Sequence, residues 1–180
     1  MKPIKDLENL NNRIVVLRLD LNVPILHGKI IDTNRIDKII PTINFLLSKN
    51  AKIIIISHVG RPKGKFQNGL SLELIKDNLI LQVKENVKLE KENIFKLKKD
   101  DLFKNKNDRV IILENIRFYP EEEKNDEKFS EHLAKLGDIY VNDAFSCSHR
   151  EHASVTSITK FIPSYSGLQI NSEVEALKKI

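Results

Sequence analysis

Arg18, Asp20 and Asn22 alternate at the end of an apolar run in VLRLDLNVP, residues 16–24. Period-2 spacing in a strand puts all three on one face. Three more apolar runs end in residues of the same kind. IIII (53–56) leads into SHVGRPKGK, with His58 and Arg61. VIIL (110–113) leads into ENIRFYP, with Glu114, Asn115 and Arg117. IYV (139–141) leads into NDAFSCSHREHAS, with Asn142, Asp143, His149, Arg150 and His152. Guanidinium groups present planar forks that suit phosphate and carboxylate. Several of them with few carboxylates nearby repel one another unless an anion joins them. Asp20 and Asn22 are then placed to accept from and donate to a hydroxyl on that anion. Arg18 alone reads differently: within the strand it is expected to pair with a core carboxylate.

The elements that must position these groups are legible as four continuous, β-branched runs, 14–17, 53–56, 110–113 and 139–141. Such runs suit parallel strands covered on both faces. Helical patterns separate them. In residues 33–49, Ile36, Ile39, Ile40, Ile43, Leu46 and Leu47 share a face, with Thr33 as expected N-cap and Pro41 as a possible kink point. Residues 72–85 form a second helix after Ser71. Residues 127–136 form a third, with Phe129, Leu133 and Leu136 inward and Gly137 as its C-terminal stop. Alternation of strand and helix predicts a three-layer, Rossmann-like α/β domain: a mostly parallel sheet with helices on both faces. Ligands of such sheets bind beyond the carboxyl ends of the strands. That is where the polar residues fall, and Arg35 at the start of the first helix lies near the same rim.

Composition sets the outer limits. The 180 residues suffice for one sizeable core, and 41% hydrophobic with 31% charged residues indicates a folded chain rather than a disordered one. The net charge of +5 permits a nucleic acid, an anionic lipid or a phosphorylated metabolite as partner. Only seven of the 30 basic residues are Arg, so Lys supplies the general surface charge and the Arg positions are the informative ones. No apolar run has membrane-spanning length and the start has no signal-peptide pattern, so a cytoplasmic protein with no membrane partner is expected. The single cysteine, Cys147, excludes an internal disulfide.

Two patterns mimic known sites. GRPKGK (60–65) fails as a nucleotide P-loop, because Gly60 and Gly64 are one residue too close and Phe66 replaces the Mg-binding hydroxyl residue. Cys147, His149 and His152 are too tightly spaced for zinc, with no evident fourth ligand. No metal is expected on this chain.

VLRLDLNVP, SHVGRPKGK, LENIRFYPEEEKND and YVNDAFSCSHREHAS, in this order, resemble the N-terminal domain of phosphoglycerate kinase, from about residue 4 onward. The resemblance implies a two-domain glycolytic enzyme that transfers a phosphoryl group between 1,3-bisphosphoglycerate and ADP, giving 3-phosphoglycerate and ATP. By motif, Asp20 and Asn22 would hold the glycerate hydroxyl. His58, Arg61, Arg117 and Arg150 would hold the non-transferring phosphate. The backbone of Leu21, Val59 and Gly60 would line the site. Arg35 would contact the carboxyl end and act as the catalytic residue beside the transferring group. Mg-ATP or Mg-ADP would bind the C-terminal domain, so no cofactor is expected on this chain. The implied partners are 3-phosphoglycerate and that C-terminal half, with no nucleic acid and a monomeric state.

Residues 1–170 correspond to the substrate-binding domain and 171–180 to the start of a hinge helix. Ser172 and Glu175 read as its capping box and Val174, Leu177 and Ile180 as its apolar face. The stretch around Gly167 departs from the family's usual Gly-rich apolar wording, and the sequence stops with no C-terminal cap. The 180-residue chain alone is therefore expected to be inactive. The competing reading is a non-catalytic Rossmann-like module that binds anions or nucleic acid.

Overall fold

Runs of Val and Ile make the centre of the fold, because branched side chains pack well on both faces of a covered pleated sheet. The structure, a computed structural model, describes residues 1–179. Its strands are β1 Lys2–Pro3, β2 Ile14–Leu19, β3 Ile25–Leu26, β4 Lys29–Ile30, β5 Lys52–Ile56, β6 Val87–Glu90, β7 Val110–Leu113, β8 Ile139–Asp143 and β9 Ser164–Ser166. Its α-helices are α1 Asn34–Ser48, α2 Glu73–Val83, α3 Lys99–Leu102, α4 Pro120–Glu123, α5 Glu127–Lys135 and α6 Leu168–Leu177. Seven strands form one sheet in the order β1-β9-β8-β2-β5-β7-β6. Every neighbouring pair in it is parallel. β3 and β4 form a separate antiparallel hairpin.

The four strands expected from the sequence are the middle of this sheet. Alternate residues of β2 serve two cores. Val15, Leu17 and Leu19 pack with Ile36, Ile39 and Ile43 of α1 and Ile75 and Leu79 of α2. Val16 faces the other way, toward Phe129 and Leu133 of α5. The sheet thus carries helices on both faces, as the α/β reading requires. Among the described residues no helix is long and apolar enough to cross a membrane.

Several local expectations need correction. Thr33 precedes α1 but does not cap it: its hydroxyl donates to Asp37 Oδ2 at 3.1 Å, and the Asn34 amide is taken by Asp32 Oδ1 at 2.9 Å. Pro41 lies inside α1 and does not end it. Gly137 follows α5 without a left-handed conformation. It is small because a Cβ there would stand 2.6 Å from Val16 Cγ2 and 3.0 Å from Ile14 O. The capping box at Ser172 and Glu175 does not form, since α6 already starts at Leu168 and both residues lie within it. At its start, Asp143 Oδ1 accepts from the Ile170 amide at 3.0 Å. Ile180, expected on the same apolar face, lies outside the described residues.

Candidate anion-binding site

The loops after β2, β5, β7 and β8 meet at one rim because these four strands are parallel neighbours. Hydrogen bonds lock the loops to one another. The Leu21 amide donates to Ser57 Oγ at 3.1 Å, and Ser57 Oγ donates to Leu19 O at 2.7 Å. The Gly60 amide donates to Asn22 Oδ1 at 2.9 Å. Asn115 Nδ2 donates to Val59 O at 2.8 Å and to Leu70 O at 2.9 Å. Gly60 has φ +66°, a backbone conformation that favours glycine, and a Cβ there would displace the Leu70 side chain, whose Cδ2 would lie at 2.7 Å. Glu114, also at a strand end, is structural: its carboxylate accepts from Ser71 Oγ and the Leu72 amide at the start of α2. Asp143 is held by Thr42 Oγ1 and the start of α6.

Arg117 has the most unusual surroundings. It sits in the 3₁₀ turn Ile116–Phe118, whose first turn is capped by Asn115 Oδ1, and is 3% exposed. Its Nη1 donates to Gly60 O at 3.3 Å. Nε and Nη2 are buried and, among the described residues, have no hydrogen-bond partner. The Glu123 carboxylate is 3.9 Å from Nε, too far for a hydrogen bond. Burial lowers the pKa of Arg117, and the charges of Arg150 and Arg18 act in the same direction against Glu123. A guanidinium stays charged in proteins, so these are two buried donors of a charged group that lack acceptors, which an anion would satisfy.

His58, 2% exposed, is in the same group. Burial, then the charges of Arg18, Arg117 and Arg150, push its pKa down from 6.5 to about 2. The pKa of His152 is also lowered, chiefly through burial. Asp20 accepts from Arg35 Nη1, Ser146 Oγ and the Asn22 amide. Beside Asp20 and Arg35 opens a cavity of about 200 Å³, bordered also by Lys38, Ser146 and Glu173.

Of the residues singled out in the sequence, Asp20, Leu21, Asn22, His58, Val59, Gly60, Arg117 and Arg150 come together at the rim. Arg35 joins them through Asp20, although its side chain is 46% exposed. Arg61 is exposed and, among the described residues, makes no hydrogen bond or ion pair, so it stands apart from the buried group. Arg18 is buried as expected but meets no carboxylate directly. Its Nε donates to Ser154 Oγ at 2.9 Å, and Ser154 Oγ donates to Glu122 Oε1 at 2.6 Å. Ser146, Ser154 and Glu122 were not identifiable from the sequence, for each depends on a long-range contact. Among the described residues no group of three or more His, Cys, Asp or Glu is placed to hold a metal ion.

A family model for phosphoglycerate kinase matches residues 4–180. The phosphoglycerate kinase of Wolbachia pipientis wMel is 47% identical over 178 residues, 98% of this chain and 44% of the relative. That of Moorella thermoacetica is 41% identical over 176 residues. The crystal structure of the Pyrococcus horikoshii OT3 enzyme aligns with a TM-score of 0.87 at 32% identity, over 99% of this chain and 45% of that one. The Coxiella burnetii enzyme aligns with a TM-score of 0.88 at 34% identity, again over 44% of its length. The chain spans under half the length of the curated relatives it matches. Fold, order of motifs and family match agree: this chain belongs to the phosphoglycerate kinase family.

Proposed function

We propose that this chain is the substrate-binding half of a phosphoglycerate kinase and holds 3-phosphoglycerate or 1,3-bisphosphoglycerate at the cationic rim. The observation that carries the reading is Arg117, whose Nε and Nη2 are buried with no hydrogen-bond partner among the described residues. Such donors cost free energy in the empty site, and a phosphate oxygen relieves that cost. In this reading Arg117, Arg150 and His58 hold the non-transferring phosphate, with Arg61 swinging in from the surface. Asn22 uses Oδ1 on Gly60 and keeps Nδ2 for the glycerate hydroxyl, which also approaches Asp20. Arg35 leaves or shares Asp20 to reach the carboxyl end, where it offsets charge on the transferring phosphoryl group.

The complete protein then moves that group between 1,3-bisphosphoglycerate and ADP. The second half binds the Mg-nucleotide, which supplies or accepts the phosphoryl group. This half contributes position and positive charge, the two things phosphoryl transfer most requires.

Calorimetric titration with 3-phosphoglycerate tests the reading. Saturable binding is expected, and Arg117→Ala should weaken it by about 1.5–3 kcal/mol, the range for a charged hydrogen bond. Equal binding by the two proteins would remove Arg117 from the site. A steeply salt-dependent response to an oligonucleotide, with none to phosphoglycerate, would favour a nucleic-acid module instead.

A further inference from the structure

We propose that Glu122, Ser154 and Arg18 form a buried relay that fixes His58 as the neutral Nε2–H tautomer, so that the ring presents an uncharged donor to the anion of the cleft. Only the identity of that anion rests on the phosphoglycerate reading.

Arg18 is fully buried. A guanidinium donates and never accepts. Its Nη2 lies 3.0 Å from His58 Nδ1, so Nδ1 must offer its lone pair. In a neutral imidazole the proton then resides on Nε2. Among the described residues Nε2 has no hydrogen-bond partner and is not one of the sealed, unsatisfied atoms, which leaves it available at the rim.

The rest of the relay sets the direction of each bond. Arg18 is held by three acceptors: Ser154 Oγ through Nε, Leu19 O through Nη1 and His58 through Nη2. A hydroxyl has one proton, and that of Ser154 goes to Glu122 Oε1 at 2.6 Å. Its lone pair is thereby turned toward Arg18. Glu122 Oε2 accepts from the Ser154 amide at 2.9 Å, so both carboxylate oxygens hold the same residue. Glu122 is fully buried.

Protonating His58 would set an N–H at Nδ1 against an N–H of Arg18. It would also add charge beside Arg18 from β2, Arg117 from the turn after β7, and Arg150 and His152 from the segment after β8. Glu122 of α4 is hydrogen-bonded to Ser154, interacts with Arg18 and Arg117 through charge, and has its carboxylate 4.0 Å from His152 Nδ1. Charge and geometry therefore favour the same neutral form. Glu122, Ser154 and Arg18 are positioning residues: their contacts reach the ligand through His58.

Long-range ¹H–¹⁵N correlation on the labelled full chain, without ligand, reads the tautomer directly. The expected spectrum shows His58 as Nε2–H and unchanged from about pH 5 to about pH 8. An Nδ1–H pattern, or titration with an ordinary histidine midpoint, would overturn the proposal. Ser154→Ala removes the acceptor of Arg18 Nε and should give mixed tautomers within that pH range. Glu122→Gln keeps the volume and should act in the same direction, so it serves if Ser154→Ala does not fold. An unchanged His58 spectrum in both variants would overturn the relay. Adding 3-phosphoglycerate should move the Nε2–H resonance. If the tautomer is as proposed but that resonance does not move, the phosphoglycerate reading fails and the relay stands.

Discussion

Burying His58 beside three guanidinium groups has a consequence for stability that a surface histidine would not have. Its folded pKa, about 2, lies below its unfolded value of 6.5. Between those values the unfolded chain binds a proton that the native chain refuses. This contribution to stability is therefore complete above about pH 6.5 and falls as pH drops below it, by about 1.4 kcal/mol per pH unit, until the folded pKa is reached. His58→Asn keeps an oxygen acceptor for Arg18 and cannot titrate. Urea unfolding of both proteins at several pH values should show the wild type losing stability more steeply below pH 6.5. Parallel lines would mean that the native His58 takes up its proton with the unfolded chain. At this scale the sequence is a fair guide to which residues gather, since each follows a strand. It is a poor guide to their partners. Glu121, Glu122 and Glu123 are indistinguishable in PEEEKND, yet only Glu122 is buried, because the short turn of α4 directs it toward Ser154.

At the scale of elements, continuous apolar runs disclosed β2, β5, β7 and β8 because those strands are covered on both faces. The edges were not legible for the same reason. β6 (VKLE) and β9 (SYS) are only partly covered and lack such a run, and β1 has two residues. Helix centres were legible from periodicity, whereas helix ends depend on contacts that periodicity does not encode. Gly137 illustrates this. It marks the end of α5, but its size is set by β2 passing against it. Gly137→Ala should destabilise the chain by about 1–3 kcal/mol, the usual cost of forcing an extra carbon into packed structure. Gly69→Ala is the control: it has no positive φ, and nothing lies within 4 Å of an added Cβ. It should change stability by no more than about 0.5 kcal/mol. Thermal or urea unfolding of the two variants checks the contrast, and an equal effect would show that crowding by Val16 and Ile14 is not what selects glycine.

At the scale of the molecule, the proposed function makes the rim one wall of a cleft. In that reading its cations would face a small anion, and the nucleotide would meet them from the other side. The candidate phosphate loop on this chain is committed elsewhere: Gly60 packs on Leu70, Gly64 packs on Pro120, and the Gly64 amide donates to Arg117 O. Substrate alone on one wall gains binding but no alignment with a phosphoryl donor. Alignment of two reactants is worth about 7–11 kcal/mol of barrier, so its loss alone suffices to silence the reaction. A coupled assay of the 180-residue chain with Mg-ATP and 3-phosphoglycerate should therefore read at background while calorimetry still registers substrate. Adding the separately purified remainder of a phosphoglycerate kinase should restore measurable turnover, saturating with the added half. Arg117→Ala in this chain should then lower that restored turnover at limiting substrate, because the added half has no copy of the phosphate site. Full activity from the 180 residues alone, in a preparation free of contaminating kinase, would require a nucleotide site on this wall and would overturn the division of labour between two halves. Restored turnover that Arg117→Ala leaves untouched would place the substrate phosphate somewhere other than the buried guanidinium on which the proposed site is built.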